Sequence, residues 1–160
     1  MEFIKGRAAI ITVSDRSFTG EREDVSGPLA AELLRTAGWT TTVSVVPDDR
    51  EAISRCIVDL VDAGTDLVVT TGGTGVGPRD VTPEATGSLL TRVLPGIAEE
   101  IRRAGLASLP QAMLSRGVAG MRDGALVVNL AGSTGAVRDG VPVVLQVAEH
   151  AVAQAAGGDH

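Results

Sequence analysis

Residues 66–82 read DLVVTTGGTGVGPRDVT, and this stretch decides the fold class of the chain. Residues 66–71 form an apolar, β-branched run that is typical of a strand buried on both faces. A glycine-rich turn follows at once, with an arginine and an aspartate near its end. A strand that runs into such a turn predicts an α/β protein with an anion-binding loop at the carboxyl end of the strand.

The turn itself has the composition of a phosphate-binding loop. It contains four glycines, Gly72, Gly73, Gly75 and Gly77. Glycine accepts positive φ values and lets the backbone approach a ligand, so unpaired N–H groups can converge on an anion. Thr71 and Thr74 add hydroxyl groups. A glycine pair alone would indicate a tight turn, but four glycines with Arg79 and Asp80 favour a ligand site.

Neither common nucleotide fingerprint fits this loop. From Gly73, the last glycine of G-x-G-x-x-G is replaced by Pro78, which has no N–H group for a pyrophosphate. From Gly72, the spacing G-x-x-x-x-G is present, but Pro78 and Arg79 follow where a P-loop needs Lys and then Ser or Thr. The loop therefore argues against a dinucleotide-dependent dehydrogenase and against a P-loop kinase or GTPase.

Outward from this strand, helical and strand patterns alternate along the chain. They predict strands at 7–13, 39–46 and 125–130 and helices at 27–37, 50–63 and 137–155, with a polar loop at 14–26. Thr82 is predicted to cap a helix, another helix begins after Pro95 and Gly96, and Pro142 is predicted to break the last helix early. The alternation predicts a mostly parallel sheet covered by helices, in one domain over residues 1–160 with frayed ends at 1–6 and 157–160.

Net charge, cysteine count and the lengths of apolar runs indicate which ligands and which cellular compartment to expect. The net charge is −6 with a pI near 4.8, which argues against nucleic acid and anionic membranes as ligands. Cys56 is the single cysteine, so we expect a reducing cytoplasm and no cysteine-based metal site. No apolar run reaches the length of a membrane-spanning helix, and the run at 8–13 is too short for a signal-peptide core.

Five sequence blocks together resemble the MogA/MoaB family of molybdenum cofactor biosynthesis. They are IITVSDR at 10–16, TTGGTG at 70–75, RDVTPEAT at 79–86, LSR at 114–116 and NLAGST at 129–134. The chain is also similar to the G domain of gephyrin. The resemblance implies a three-layer α/β/α fold, a homotrimer, and transfer of AMP from MgATP to molybdopterin with release of pyrophosphate. It also implies hand-over of the product to a molybdate insertase.

The resemblance implies that two aspartates hold Mg²⁺. These are Asp48, in VPDD after the second strand, and Asp80, in the glycine loop. Mg²⁺ commonly takes one or two carboxylates together with water and substrate phosphates, so two aspartates suffice. From local signals alone, Asp48 could instead cap the following helix, and Asp80 could be a turn residue.

Further residues are matched to ligand binding by the same resemblance. They are Ser14, Asp15, Thr71, Gly72, Gly73, Thr74, Gly75, Arg79, Arg116, Gly132 and Ser133. Ser14 and Asp15 could instead close the strand as a Ser or Asx turn, and the arginines, including Arg16, could be solvated surface residues.

The loop that follows the predicted strand at 125–130, called the second loop, differs in sequence from the common family form. A common family form there is NLPGSPKA, whereas residues 129–136 of this chain read NLAGSTGA. The missing lysine removes a positive charge from a site that handles phosphates, and Arg138 is a candidate substitute. The departure keeps a second hypothesis open, a non-catalytic MoaB-like protein that binds molybdopterin or acts as a scaffold.

Overall fold

The computed structural model describes residues 5–158, which form one mixed β-sheet with helices on both faces. The strands are β1 (Gly6–Val13), β2 (Trp39–Val46), β3 (Leu67–Thr71), β4 (Arg92–Val93), β5 (Ala119–Arg122) and β6 (Ala125–Leu130). Their order across the sheet is β2-β1-β3-β6-β5-β4. Strands β2, β1, β3 and β6 are parallel, while β5 and β4 run antiparallel at one edge. The predicted mostly parallel sheet is confirmed.

Among the residues that the structure describes, six α-helices and one 3₁₀ helix lie between or after these strands. They are α1 (Asp15–Thr19), α2 (Ser26–Thr36), α3 (Arg50–Asp62), α4 (Thr82–Gly87), α5 (Pro95–Leu106), the 3₁₀ helix (Pro110–Leu114) and α6 (Thr134–Ala155). Helices α2, α5 and α6 cover one face of the sheet, and α3 and α4 cover the other. Within the described part of the chain, no helix has both the length and the apolar character needed to cross a lipid bilayer.

The three layers follow from the alternation of side chains along each buried strand. Neighbouring strand residues point to opposite faces, so Ile10 packs towards α2 and α6 while Ile11 packs towards α3. Both side chains are fully buried. Burying a side chain of this size contributes about 1.5–3 kcal/mol. The apolar side chains on the two faces of the sheet therefore hold the helices in place although the chain contains few aromatic residues. The three-layer α/β/α fold is confirmed.

Two helix predictions were wrong in detail. Helix α6 begins at Thr134 and continues through Pro142, because Val141 and Val144 on either side of the proline are anchored in the core. Thr82 is not a cap, since Val81 occupies that position and the Thr82 hydroxyl donates to the Gly72 carbonyl at 2.9 Å.

The segments between the predicted elements contain structure that the sequence patterns did not predict. The polar loop 14–26 contains α1, and strands β4 and β5 were missed. At the ends, residues 1–4 and 159–160 lie outside the described residues. Strand β1 already begins at Gly6, and the Lys5 N–H donates to the Gly38 carbonyl at 2.9 Å, so these two residues are paired rather than frayed. The Gly158 N–H likewise donates to the Ala153 carbonyl.

Candidate active site

The loops that follow β3 and β6 are in direct contact at the carboxyl edge of the sheet. Thr71 and Leu130 are paired across these strands, and the Gly72 N–H donates to the Leu130 carbonyl at 3.0 Å. A Cβ atom at Gly132 would lie only 3.0 Å from the Gly72 Cα atom. The close approach of the two backbones therefore depends on glycine, and it joins the glycine loop, Gly72 to Asp80, to the second loop, Ala131 to Ala136.

The four glycines of the glycine loop serve two different purposes. Gly72 and Gly73 have φ values of 99° and 70°, which glycine adopts readily. Gly75 and Gly77 do not have positive φ. Cβ atoms at Gly75 and Gly77 would lie 2.9 and 2.8 Å from Asp80 Oδ2. These two glycines instead make room for the Asp80 carboxylate.

The glycine loop presents a run of backbone donors. None of the hydrogen bonds among residues 5–158 uses the N–H groups from Gly73 to Val76. The next amide, Gly77 N–H, donates to Asp80 Oδ2 at 2.9 Å and fixes the carboxylate against the loop. Successive unpaired N–H groups in a turn of this kind form an anion-binding concavity. The loop therefore places anion donors beside a carboxylate.

Arg116 holds the glycine loop in shape. Its Nε donates to the Gly75 carbonyl and its Nη2 to the Asp80 carbonyl, both at 2.8 Å. Its Nη1 pairs with Glu84, and this contact lowers the pKa of the Glu84 carboxyl. The Arg116 N–H also donates to the Thr74 carbonyl at 2.8 Å. Arg116 thus reaches the predicted site, but its guanidinium is engaged by the protein itself.

Asp48 is free of the capping role that its position suggested. The cap of α3 is the neighbouring residue, Asp49, whose side chain accepts from the Ala52 N–H at 2.9 Å. Asp48 Oδ2 accepts the Asp15 N–H at 2.9 Å, while Oδ1 faces Gly73, where a Cβ atom would lie 3.2 Å away. Burial, with repulsion from Asp15 and Asp80, raises the pKa of Asp48.

Asp15 is held from two sides. Its Oδ1 accepts the Asp48 N–H at 3.0 Å, and Arg79 donates from Nε and Nη2 to its two carboxylate oxygens, both at 3.0 Å. The Arg79 pair lowers the pKa of Asp15. Ser14 caps α1 by accepting the Ser17 N–H at 3.2 Å. In this structure Arg79 is paired with Asp15, Ser14 acts as a cap, and Arg16 is exposed on the surface.

The carboxylates of this site fit a magnesium ion better than a metal ion whose ligands all come from the protein. Among residues 5–158, no group of three or more His, Cys, Asp or Glu side chains is arranged to hold a metal ion. Asp48 and Asp80 offer hard oxygen ligands on the two sides of the glycine loop, at Gly73 and at Gly75. Mg²⁺ prefers such oxygens and takes its other ligands from water and phosphates, so these two residues fit it.

Two cavities open at this edge of the sheet and share Gly132 and Ser133. The first cavity, of about 450 Å³, lies between the two loops, α5 and the 3₁₀ helix. Asp80 lines it, and apolar side chains such as Ile101, Leu109 and Leu114 form much of the opposite wall. An apolar wall facing a loop of amide donors suits a ligand with a flat heterocycle and an anionic group.

The second cavity, of about 330 Å³, lies between the end of β1, the segment before α2 and the second loop. Ser14, Thr71 and Ser133 are among its lining residues. The Thr71 hydroxyl is buried and makes no hydrogen bond within the described structure. A buried hydroxyl without a partner at a cavity wall is available to a ligand.

The second loop leads into helix α6 and is fixed by the first residue of α2. Ser133 caps α6 by accepting the Ala136 N–H at 3.0 Å, and Ser26 donates to the Gly132 carbonyl at 2.8 Å. Arg138 is exposed and is not part of either wall, whereas Asp139 lines the first cavity. The suggested substitution of Arg138 for the family lysine is therefore wrong, because the helix turns its neighbour towards the cavity.

Comparison with known families agrees with this architecture. A family model described as "Probable molybdopterin binding domain" matches residues 9–150 of the chain. The chain belongs to this family. The match covers both loops, Asp48 and Asp80, so the residues that form the two cavities all lie inside the molybdopterin-binding domain.

Similar proteins have names from molybdenum cofactor biosynthesis. The chain is 36% identical to a molybdopterin adenylyltransferase of Helicobacter pylori strain J99, over 89% of this chain and 84% of that protein. It is 39% identical to a "Molybdenum cofactor biosynthesis bifunctional protein" of Synechococcus elongatus over 96% of this chain. The chain spans 48% of the length of that bifunctional relative.

Solved structures show the same fold. The crystal structure of a molybdopterin biosynthesis protein from Mycobacterium abscessus superimposes with a TM-score of 0.91 at 49% identity. The alignment covers 96% of this chain and 98% of that chain. Solved structures of a MogA and a MoaB protein also superimpose on the chain, with TM-scores of 0.89 and 0.88, so the three-layer fold and the resemblance to these proteins are confirmed.

Several polar residues of this domain were not singled out from the sequence. Asn129 forms a buried network in which Nδ2 donates to the Thr70 and Thr86 hydroxyls at 2.9 and 3.0 Å, and Oδ1 accepts the Val118 N–H. Arg102 lies on α5 at the first cavity. The signal for Asn129 was its place in an otherwise apolar strand, whereas the position of Arg102 depends on how α5 packs.

Proposed function

We propose that this protein is a molybdopterin adenylyltransferase, which transfers AMP from MgATP to the terminal phosphate of molybdopterin. The observation that carries the proposal is the contact between the two loops at Gly72 and Gly132, which gathers unpaired amides, Asp80 and two cavities at one sheet edge. Membership of a molybdopterin-binding family and a relative named molybdopterin adenylyltransferase support the choice of substrates.

The reaction needs little proton chemistry from the protein. A phosphate oxygen of molybdopterin bonds to the α-phosphorus of ATP, and the bond from that phosphorus to the β-phosphate oxygen breaks, releasing pyrophosphate. A phosphate monoester has a second pKa of about 6, so the nucleophile is already largely deprotonated at neutral pH. The chain must therefore hold two polyanions close together and stabilise the charge that develops on their oxygens.

The residues of the site divide this work. The N–H groups from Gly73 to Val76 bind phosphate oxygens, and Asp48 and Asp80 hold Mg²⁺. Mg²⁺, when bound, neutralises charge on the phosphate oxygens. We propose that Thr71 and Ser133, with Ser14, bind ligand at the second cavity. Asp15, Arg79 and Arg116 act mainly by fixing Asp48 and the glycine loop.

A second candidate is a non-catalytic molybdopterin-binding or scaffold protein. The altered second loop favours it, because Asp139 rather than a lysine or Arg138 lies on the wall of the first cavity. Both candidates predict molybdopterin binding, but only the enzyme predicts turnover. Turnover by the wild-type protein separates them. If Asp80 holds the metal in an enzyme, Asp80→Asn lowers turnover far more than molybdopterin affinity, measured by equilibrium titration. Equal loss of both would contradict a role for Asp80 at the metal.

Assembly and location are also proposals. We propose a homotrimer that passes its product to a molybdate insertase, as the family resemblance implies, and a cytoplasmic location, which the single half-buried Cys56 supports. Sedimentation analysis tests the assembly, and a monomer at micromolar concentration would contradict it.

A further inference from the structure

Arg102 is the one cationic side chain among the described residues that line the first cavity. The other charged residues on that wall are Asp80 and Asp139. Without a metal ion the wall carries more negative than positive charge, so an anionic ligand there depends on local donors. Arg102 projects from α5 and is half-buried, which strengthens its interaction with a charged partner relative to a fully solvated arginine.

Arg102 is anchored through part of its guanidinium only. Its Nη1 donates to the carbonyls of Ser115 and Gly117 at 3.3 and 2.9 Å. Among residues 5–158, none of the hydrogen bonds uses its Nε or Nη2, and it forms no ion pair. The next residue, Arg103, differs in each respect: it is exposed, it pairs with Glu100, and it is not part of the cavity wall.

We propose that Arg102 binds a phosphate-type group of the substrate in the first cavity. Two carbonyls orient the guanidinium but leave its positive charge unpaired, and its remaining donors match the oxygens of a phosphate. The loop opposite lacks the lysine of the common family form, so Arg102 supplies positive charge that this loop does not. The nature of the anion rests on the proposed function; the anion site itself rests on the geometry of Arg102.

A purely structural role for Arg102 makes a different prediction. If the side chain only ties Ser115 and Gly117 to α5, then any side chain that donates to those carbonyls should replace it. Glutamine retains N–H donors without charge, whereas lysine retains both a charge and a donor. Anion binding therefore predicts that Arg102→Lys is better than Arg102→Gln, and a carbonyl tie alone predicts that the two are equal.

The test is titration calorimetry of the full chain with inorganic phosphate, pyrophosphate and MgATP. We expect Arg102→Gln to weaken at least one of these ligands by about 10- to 100-fold and to reduce the salt dependence of binding. Arg102→Lys should retain more of the affinity, and the control Arg103→Gln should stay within about twofold of wild type. Should Arg102→Gln fail to fold, Arg102→Lys is compared with Arg103→Lys: anion binding by the guanidinium donors predicts weaker ligand binding in Arg102→Lys than in Arg103→Lys, and equal affinities would overturn the proposal.

Three results would overturn the proposal: wild-type protein that binds none of the three probes, unchanged affinity in Arg102→Gln, or equal loss in the glutamine and lysine variants. These titrations require no turnover. Arg102-dependent anion binding in a protein that forms no adenylylated product would therefore contradict the proposed function and leave the anion site in place.

Discussion

Asp15 and Asp48 exchange hydrogen bonds between backbone and side chain. The Asp15 N–H donates to Asp48 Oδ2 at 2.9 Å, and the Asp48 N–H donates to Asp15 Oδ1 at 3.0 Å. The exchange joins the segment after β1 to the segment after β2. It fixes the Asp48 carboxylate beside the glycine loop, where burial and two nearby carboxylates oppose its charge.

This arrangement predicts that the charged Asp48 carboxylate lowers the free energy of unfolding of the protein. The pKa of Asp48 in the folded state is raised above 3.8, so the folded state binds the Asp48 proton more tightly than the unfolded state does. The stability that this proton contributes is lost as the pH rises through the pKa of the folded state. Asp48→Asn keeps an acceptor for the Asp15 N–H and removes the charge. We expect its melting temperature to exceed that of wild type at pH 7 without Mg²⁺, with a gain that disappears below about pH 4.

The exposed Glu32 supplies the control for this measurement, since Glu32→Gln removes a charge from a residue that lines neither cavity. Its melting temperature should follow that of wild type. A lower melting temperature for Asp48→Asn at neutral pH would show that the carboxylate stabilises the fold, contrary to the raised pKa.

Arg79 should matter for turnover more than for stability. Both members of the Arg79–Asp15 pair are well exposed, so the pair contributes little to the free energy of unfolding. Arg79 nevertheless orients the carboxylate that holds the Asp48 backbone. We expect Arg79→Ala to lower kcat by about 10-fold or more, as is usual for residues behind a metal ligand, with little change in melting temperature. Arg55→Ala, which breaks the exposed pair with Glu51, should change neither quantity, and an equal effect of the two variants would contradict this role.

Arg116 should matter for both stability and turnover. Its removal leaves the Gly75 and Asp80 carbonyls without their donors and Glu84 without its partner. We expect Arg116→Ala to lower the free energy of unfolding by about 1–3 kcal/mol in urea titrations and to lower turnover as the loop loosens. Arg103→Ala removes an exposed pair and should lower stability by less than about 1 kcal/mol. A similar loss in both variants would mean that Arg116 does not hold the loop.

Gly73 provides a test of the loop backbone. Its φ is 70°, and a Cβ atom would lie 2.3 Å from the Thr82 hydroxyl oxygen and 3.2 Å from Asp48 Oδ1. We expect Gly73→Ala to lower the free energy of unfolding by about 2 kcal/mol or more, because strain and a steric clash coincide. Gly87→Ala, where a Cβ atom meets nothing within 4 Å, should be neutral or slightly stabilising. Wild-type stability in Gly73→Ala would contradict the described loop conformation.

The buried strands were the most predictable part of the fold. The bounds predicted for β2 and β6 agree with the structure, because apolar, β-branched runs between glycine and proline signals have few alternative conformations. Strands β4 and β5 have only two and four residues, and β5 contains Gly120, so no periodicity marks them. The prediction that Pro142 breaks α6 was wrong, because the packing of the helix in the core outweighs the local cost of proline.

The candidate site was predictable where it follows a strand end and not where it depends on packing between elements. The resemblance matched residues of both the glycine loop and the second loop to ligand binding, and the two loops do meet at Gly72 and Gly132. The sequence left open whether Asp48 caps α3, and the hydrogen bond from the Ala52 N–H to the Asp49 side chain assigns that role to Asp49. Arg102 and Asp139 reach the cavity through the rotation of their helices, which no local pattern determines.

The most direct test of the account is incubation of the purified protein with molybdopterin, ATP and Mg²⁺, with adenylylated molybdopterin and pyrophosphate measured together. We expect equal amounts of both products over time, and little of either with Asp80→Asn, whose molybdopterin binding should remain near that of wild type. Persistent absence of both products, under conditions in which the related Helicobacter pylori adenylyltransferase forms them, would contradict the central claim and favour the binding-only alternative.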